Sequence, residues 1–258
     1  LVRSVVEQAE ESDSPAIIEA SAGEFEFVTK DFYKYVIERC KDSRVPFALH
    51  LDHGHTVEEC VRAIQAGFTS VMIDGSTLPY EENVALTKKV VEIAHAAGVT
   101  VEGEIGTIGA IGNSDEGGVT NITYTRPEDV VDFVEKTGVD CLAIAIGTAH
   151  GIYPKGYTPK LQLELLEEIK KIAPVPLVLH GGSNNPDDEI AKACKIGIAK
   201  VNISSDIKYA YFKKLDEVYK ETGGFVPAKV MGPAIVDTKA VVKNKMELFN
   251  SVGKASLY

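Results

Sequence analysis

The sequence predicts an α/β protein, a parallel (β/α)8 TIM barrel, and three observations carry that prediction. Short apolar runs alternate with longer amphipathic stretches along most of the chain, the pattern of strands and helices in parallel units. Several of those runs end in Asp, Glu, His or Asn, as strands do where a barrel gathers its chemistry on one rim. The length of 258 residues suits one large core, and the whole of 1–258 reads as a single domain.

Residues 1–11 form an amphipathic helix with Val2, Val5, Val6 and Ala9 along one side. A strand follows at 15–20, a helix at 32–42, and a strand at 45–51 that breaks into Asp52-His53-Gly54. Thr56 caps the next helix, with Glu59 at the capping-box position and Gly67 as its stop. Strand 69–74, helix 80–97 and strand 99–104 continue the rhythm. Residues 106–118 interrupt it with a loop too rich in glycine for regular structure. Helix 127–137, strand 139–146, helix 162–172, strand 175–180, helix 187–196 and strand 199–203 complete the alternation, and helices 207–219 and 238–248 close the chain. This counts seven strands, each followed by a helix, after one orphan helix. The chain opens on Leu1 rather than Met, so the eighth strand is expected ahead of that helix. An open doubly wound sheet is the alternative, but its glycine fingerprint is absent from the first strand-to-helix turn.

Composition excludes several functions. A net charge of −11 and a pI near 5.1 argue against nucleic acid or anionic membrane as partners. There is no apolar run of transmembrane length and no charged-then-apolar leader, which reads as a soluble, cytoplasmic chain. Cys40, Cys60, Cys141 and Cys194 stand far apart without a C-x-x-C, the spacing of buried reduced thiols rather than a zinc knuckle or disulfide framework.

The strand ends gather Asp52 and His53, Asp74, Glu102 and Glu104, His150, His180, and Asn202 with Asp206. Any one of these reads as a hydrogen-bonded structural residue. Together they outline a metal site, because three imidazoles with an open fourth position let a substrate oxygen bind zinc and be polarised. An adjacent carboxylate can then move protons. Of the other histidines, His95 reads as helix surface, His50 as packed two residues deeper in its strand, and His55 as exposed loop. Gly181, Gly182 and Ser183 follow His180, and Gly151 follows His150. Close-set glycines let backbone amides approach a phosphate, and the segment from Asn202 to Asp206 lies where barrel enzymes hold one.

Seven segments in this order, LHLDHGHTVEEC, SVMIDGS, VEGEIG, AIAIGTAHGIYP, LVLHGGS, KVNISSD and VVKNKMELFNSVGKA, resemble the class II, metal-dependent ketose-bisphosphate aldolases. That resemblance implies Zn2+ on His53, His150 and His180, with Asp74 and Glu104 holding a metal in a displaced position. It implies that Asp52 exchanges a proton with the substrate C4 hydroxyl. Gly151, Gly181, Ser183, Ser204 and Ser205 match the segments that bind the C1 phosphate of the ketose, often with a monovalent cation (Na+ or K+). Asn202 matches a residue near the enediolate and Asp206 one near the distal hydroxyls. Glu116 or Asp115 on the glycine-rich loop is the candidate second acid-base group.

Three features depart from the family: no first strand with its substrate-side Asn, a loop reading GAIGNSDEGG, and no Asp-Pro-Arg segment for the distal phosphate, where only Lys229 stands in. The implied reaction is reversible cleavage of a sugar bisphosphate, fructose or tagatose 1,6-bisphosphate, by a homo-oligomer (dimer or tetramer). The same histidines would serve a barrel metal hydrolase, and a sugar-phosphate-binding module without turnover is the non-enzymatic reading.

Overall fold

The computed structural model describes residues 1–111, 118–119 and 122–258. Helix α1 (Val2–Ser12) precedes β1 (Ala16–Ser21), α2 (Ala22–Lys41), β2 (Phe47–Gly54), α3 (Val57–Ala66), β3 (Ser70–Ile73), α4 (Tyr80–Ala96) and β4 (Thr100–Ile105). Then come β5 (Gly109–Ala110), α5 (Pro127–Thr137), β6 (Cys141–Ile144), β7 (Ala149–His150), α6 (Leu163–Ile172), β8 (Leu177–Leu179), α7 (Asp187–Ile196), β9 (Ile198–Val201), α8 (Ser205–Thr222) and α9 (Pro227–Leu248).

Seven strands form one curled parallel sheet in the order β1-β2-β3-β4-β6-β8-β9. Strand order follows chain order, so each crossover helix returns the chain beside its predecessor, as in a β/α barrel. Among the described residues β1 and β9 are not paired, and the curled sheet is open between them. On its outer side the main core packs apolar strand residues such as Leu51, Val71, Leu142 and Leu177 against Ala63, Phe133, Leu166 and Ile190 of the surrounding helices. A smaller cluster of Met72, Ala143 and Val178 fills the inside.

Local chemistry explains the element ends. The capping box of α3 is complete: the Thr56 hydroxyl accepts from Glu59 N and the Glu59 side chain accepts from Thr56 N. Gly67 takes the left-handed C-cap at φ 95°, as expected.

Three expectations need correcting. Helix α2 starts at Ala22, ten residues before the predicted 32, because Ser21 caps it by accepting from Glu24 N. Phe25 in its first turns packs edge-on against Phe68 at 5.3 Å, and the helix bends at Thr29, the break that hid its first half. Helix α9 begins at Pro227 rather than 238. Gly232-Pro233 reads as a break in sequence, yet packing of Ala234, Thr238 and Val242 along α1 and α8 outweighs the lost hydrogen bond. Finally, the glycine-rich loop contains regular structure: β5 pairs in parallel with β7, next to His150. No helix among the described residues is long and apolar enough to cross a membrane.

Candidate metal centre and anion cradle

The rim is organised by a bulge in β2. Leu51 is in register with Val71, but Gly54 is in register with Ile73, so β2 carries one extra residue over this step. In an unbroken strand Asp52 and His53 would face opposite sides of the sheet. The bulge, with His53 at φ 47°, brings both side chains to the rim, where they are 6% and 4% exposed. A non-glycine residue held in the left-handed region is strained, and here the strain places a functional group.

His53, His150 and His180 converge with ligand atoms within 4.8 Å of one another. His53 Nε2 lies 2.9 Å from His180 Nδ1. Its Nδ1 lies 2.9 Å from Asp74 Oδ2, and His53, Asp74 and Glu104 form a second such trio. His53 therefore stands between two clusters, each three side chains deep. Asn202 Nδ2 donates to Asp52 Oδ1 at 2.9 Å, which brings the proton-handling candidate and its amide neighbour to the same place.

Electrostatics suit a cation. Burial lowers the affinity of His53 for a proton, but Asp52, Asp74 and Glu104 outweigh it and raise its pKa to about 10. Burial pushes Asp52 up, and His53, His180 and Lys200 more than offset that, holding it at about 2. Burial and the charge of Asp74 raise Glu104 well above the usual carboxylate range. Glu104 Oε2 is buried with no hydrogen-bond partner among the described residues. Three imidazoles, flanking carboxylates and an unsatisfied buried oxygen form a donor set that fits a divalent metal such as zinc.

The cradle lies next to it. Gly151 (φ 105°) and Gly181 (φ 63°) both take left-handed conformations. A Cβ on Gly181 would lie 2.7 Å from the backbone of Ala149, and one on Gly151 would strike the Ile111 carbonyl. Only glycine lets these segments pass so close. Gly182 N donates to Asn202 O, and Asp206 N donates to Ser183 Oγ, so the turn after β8 is tied to the start of α8. Ser204 caps α8 without a side-chain hydrogen bond, and Ser205 opens the helix. Its first amides and the helix dipole face an anion favourably.

The Asp206 carboxylate is engaged by Lys245 Nζ at 2.8 Å and Asn184 N at 3.2 Å, a link between α9 and the cradle. Lys229 is exposed in the first turn of α9. Glu116 and Asp115 lie outside the described residues. His95 pairs with Asp140 on the surface, His55 is exposed, and His50 is buried with Nδ1 2.8 Å from Ser70 Oγ, each as its position in sequence suggested.

Sequence reasoning placed Glu102 at the rim and His50 packed deeper in its strand but assigned nothing to Lys200, and the three form a polar layer beneath the rim. His50, Glu102 and Lys200 stand two residues before Asp52, Glu104 and Asn202. Residues two apart share a face of a strand, so this spacing was the available signal. His180 Nε2 lies 2.7 Å from Glu102 Oε1, and Lys200 Nζ lies 3.1 Å from Glu102 Oε2.

Side chains from separate strands, meeting at the C-terminal rim of a parallel β/α sheet around two donor trios, define a barrel enzyme of the metal-using kind. Comparison with known proteins narrows this. The family described as "Fructose-bisphosphate aldolase class-II" matches residues 1–254. A fructose-bisphosphate aldolase of Geobacillus stearothermophilus is 41% identical, over 98% of this chain and 89% of that protein. One of Thermus caldophilus is 40% identical over 98% and 90%. Among solved structures, the YdjI aldolase from Escherichia coli superposes with a TM-score of 0.83 at 32% identity, covering 98% of this chain and 88% of that one. A putative fructose-1,6-biphosphate aldolase from Coccidioides immitis gives 0.87 at 30%, covering 100% and 90%. The chain belongs to the class-II fructose-bisphosphate aldolase family.

Proposed function

We propose that this chain reversibly cleaves a ketose 1,6-bisphosphate, fructose 1,6-bisphosphate foremost, to glycerone phosphate and glyceraldehyde 3-phosphate. The observation that supports it most is the placement of Asp52 beside the imidazole trio, joined through Asn202 to the glycine cradle. His53, His150 and His180 would hold Zn2+, with Asp74 and Glu104 as a second position beside it. Bound there, the metal supplies positive charge to the substrate oxygens next to the carbon that becomes electron-rich on C3-C4 cleavage. Asp52, ionised at neutral pH, takes the C4 hydroxyl proton on cleavage and returns it on condensation. Asn202 fixes the rotation of that carboxylate through its amide. The backbone around Gly151, Gly181, Gly182 and Ser183, with the α8 start at Ser204 and Ser205, binds the C1 phosphate, and a Na+ or K+ ion completes that subsite. Asp206 braces it from behind. Glu116 is the residue we assign to proton exchange at carbon 3.

We read the chain as a cytoplasmic homo-oligomer of one domain. Exposed Phe212, Phe225, Met231 and Val236 on α8, α9 and the link between them support association of copies. A coupled assay on fructose and tagatose 1,6-bisphosphates, with and without chelator, tests the reaction. Chelator-sensitive release of glycerone phosphate, faster from fructose 1,6-bisphosphate, is the expected result. Release of inorganic phosphate, as a metal hydrolase would give, or no turnover with metal present, would sink it.

A further inference from the structure

Lys200 is an ammonium enclosed inside the curled sheet, with an 11% exposed side chain on β9. Burying a lysine is unfavourable unless its charge and its donors are matched. Three acceptors meet it: Glu102 Oε2 of β4 at 3.1 Å, Glu19 Oε2 of β1 at 3.5 Å, and Asn202 Oδ1 at 2.7 Å. The Glu19 contact spans the opening between the unpaired edges of the sheet.

Two of these contacts lead to the rim. An ammonium has donors and no acceptor, so the Asn202 atom facing it must be the carbonyl oxygen. The amide nitrogen then points the other way, where it donates to Asp52 Oδ1 at 2.9 Å. Glu102 has one oxygen on Lys200 and the other 2.7 Å from His180 Nε2. An ionised carboxylate only accepts, so His180 carries its proton on Nε2 and turns the Nδ1 lone pair towards His53. Among the described residues, the other polar groups near the Glu102 carboxylate are the Cys141 thiol at 3.5 Å and His50 Nε2 at 3.8 Å. Neither brings the fixed positive charge that a fully buried carboxylate calls for.

We propose that Lys200 is a positioning residue for the centre. Through Glu102 it sets the tautomer and orientation of the metal-facing His180, and through Asn202 it sets the rotation of Asp52. The inference rests on the aldolase reading for the role of Asp52, but its His180 branch concerns metal affinity alone.

Removing an outer partner of a metal-binding imidazole typically lowers metal affinity 10–100-fold. Lys200 holds that outer partner, Glu102, so Lys200→Met is expected to weaken zinc binding by about tenfold, the lower end of that range, read by chelator competition on folded protein without substrate. Lys200→Arg, which keeps the charge, should bind within a few-fold of wild type. In turnover, Lys200→Met should lose kcat with KM for the bisphosphate little changed, because the phosphate cradle is untouched. Wild-type zinc affinity in Lys200→Met, or an equal loss in the Met and Arg variants, would overturn the inference. Should Lys200→Met not fold, Lys200→Gln carries the same comparison. An inactive wild-type chain that still shows the Met-Arg difference would sink the aldolase reading and leave the His180 branch standing.

Discussion

Asp52 shows how much one side chain depends on its surroundings. It is 6% exposed, yet the positive side chains around it outweigh the desolvation, and its carboxylate stays charged at neutral pH. Asp52→Asn keeps the shape and the contact with Asn202 but removes the capacity to take a proton. The variant is expected to retain zinc and to lose kcat by about 10²–10⁴, the usual worth of a positioned base. Steady-state rates beside a metal determination check this, and a variant within threefold of wild type in rate would refute it. His53, His150 and His180 were legible in sequence because metal chemistry restricts residue types and strand ends mark where they meet. Lys200 was not, because a charge inside a strand usually reads as a solvated face, while Glu102, expected at the rim, faces Lys200 one layer beneath it. Only the sheet's curl shows that this face is internal. Asp206 was legible as a polar residue after the last strand, but its pairing with Lys245 depends on where α9 folds back, which spacing does not encode.

Among elements, the turns matter as much as the strands. Gly181 lies between His180 and Ser183, at φ 63° and in contact range of the Ala149 backbone. Ala149 belongs to β7, the same short strand that carries His150 and pairs with β5. A methyl group on Gly181 therefore pushes the anion cradle against one arm of the imidazole trio. Gly181→Ala is expected to lose about 1–3 kcal/mol of stability from the left-handed backbone alone. It should also raise KM for the bisphosphate at least tenfold. Denaturant melts and saturation kinetics read the two effects separately. A variant with wild-type KM would show that the turn after β8 does not line the phosphate subsite. Alternation of apolar and amphipathic runs made the strand-helix order readable throughout. It failed where packing outvotes local signals: the kinked α2, the proline-containing α9, and β5, too short for any periodicity to register.

At the scale of the molecule, the apolar core and the charged centre are separate structures. The main core lies between the outer face of the sheet and the helices, while the centre sits at the strand ends. Metal removal should then leave the fold in place at neutral pH, with the stability that binding adds withdrawn, and change how steeply its stability responds to pH. Without metal, the carboxylates around His53 are balanced by the proton it carries, whose pKa is raised from an ordinary 6.5 to about 10. A raised pKa contributes stability that is fully present below 6.5 and is lost as pH rises through about 10. Metal replaces that proton with a charge that does not titrate away, and its uptake should release the proton to solvent. The chelated protein is therefore expected to keep its far-UV spectrum at pH 7, and its Tm should fall from pH 7 to pH 10 more steeply than that of the zinc-loaded protein. Calorimetric zinc titrations at pH 8 in two buffers of different ionisation enthalpy should report about one proton released per metal or more. Parallel Tm curves, or zinc uptake without proton release, would mean that His53 is not where the cation binds.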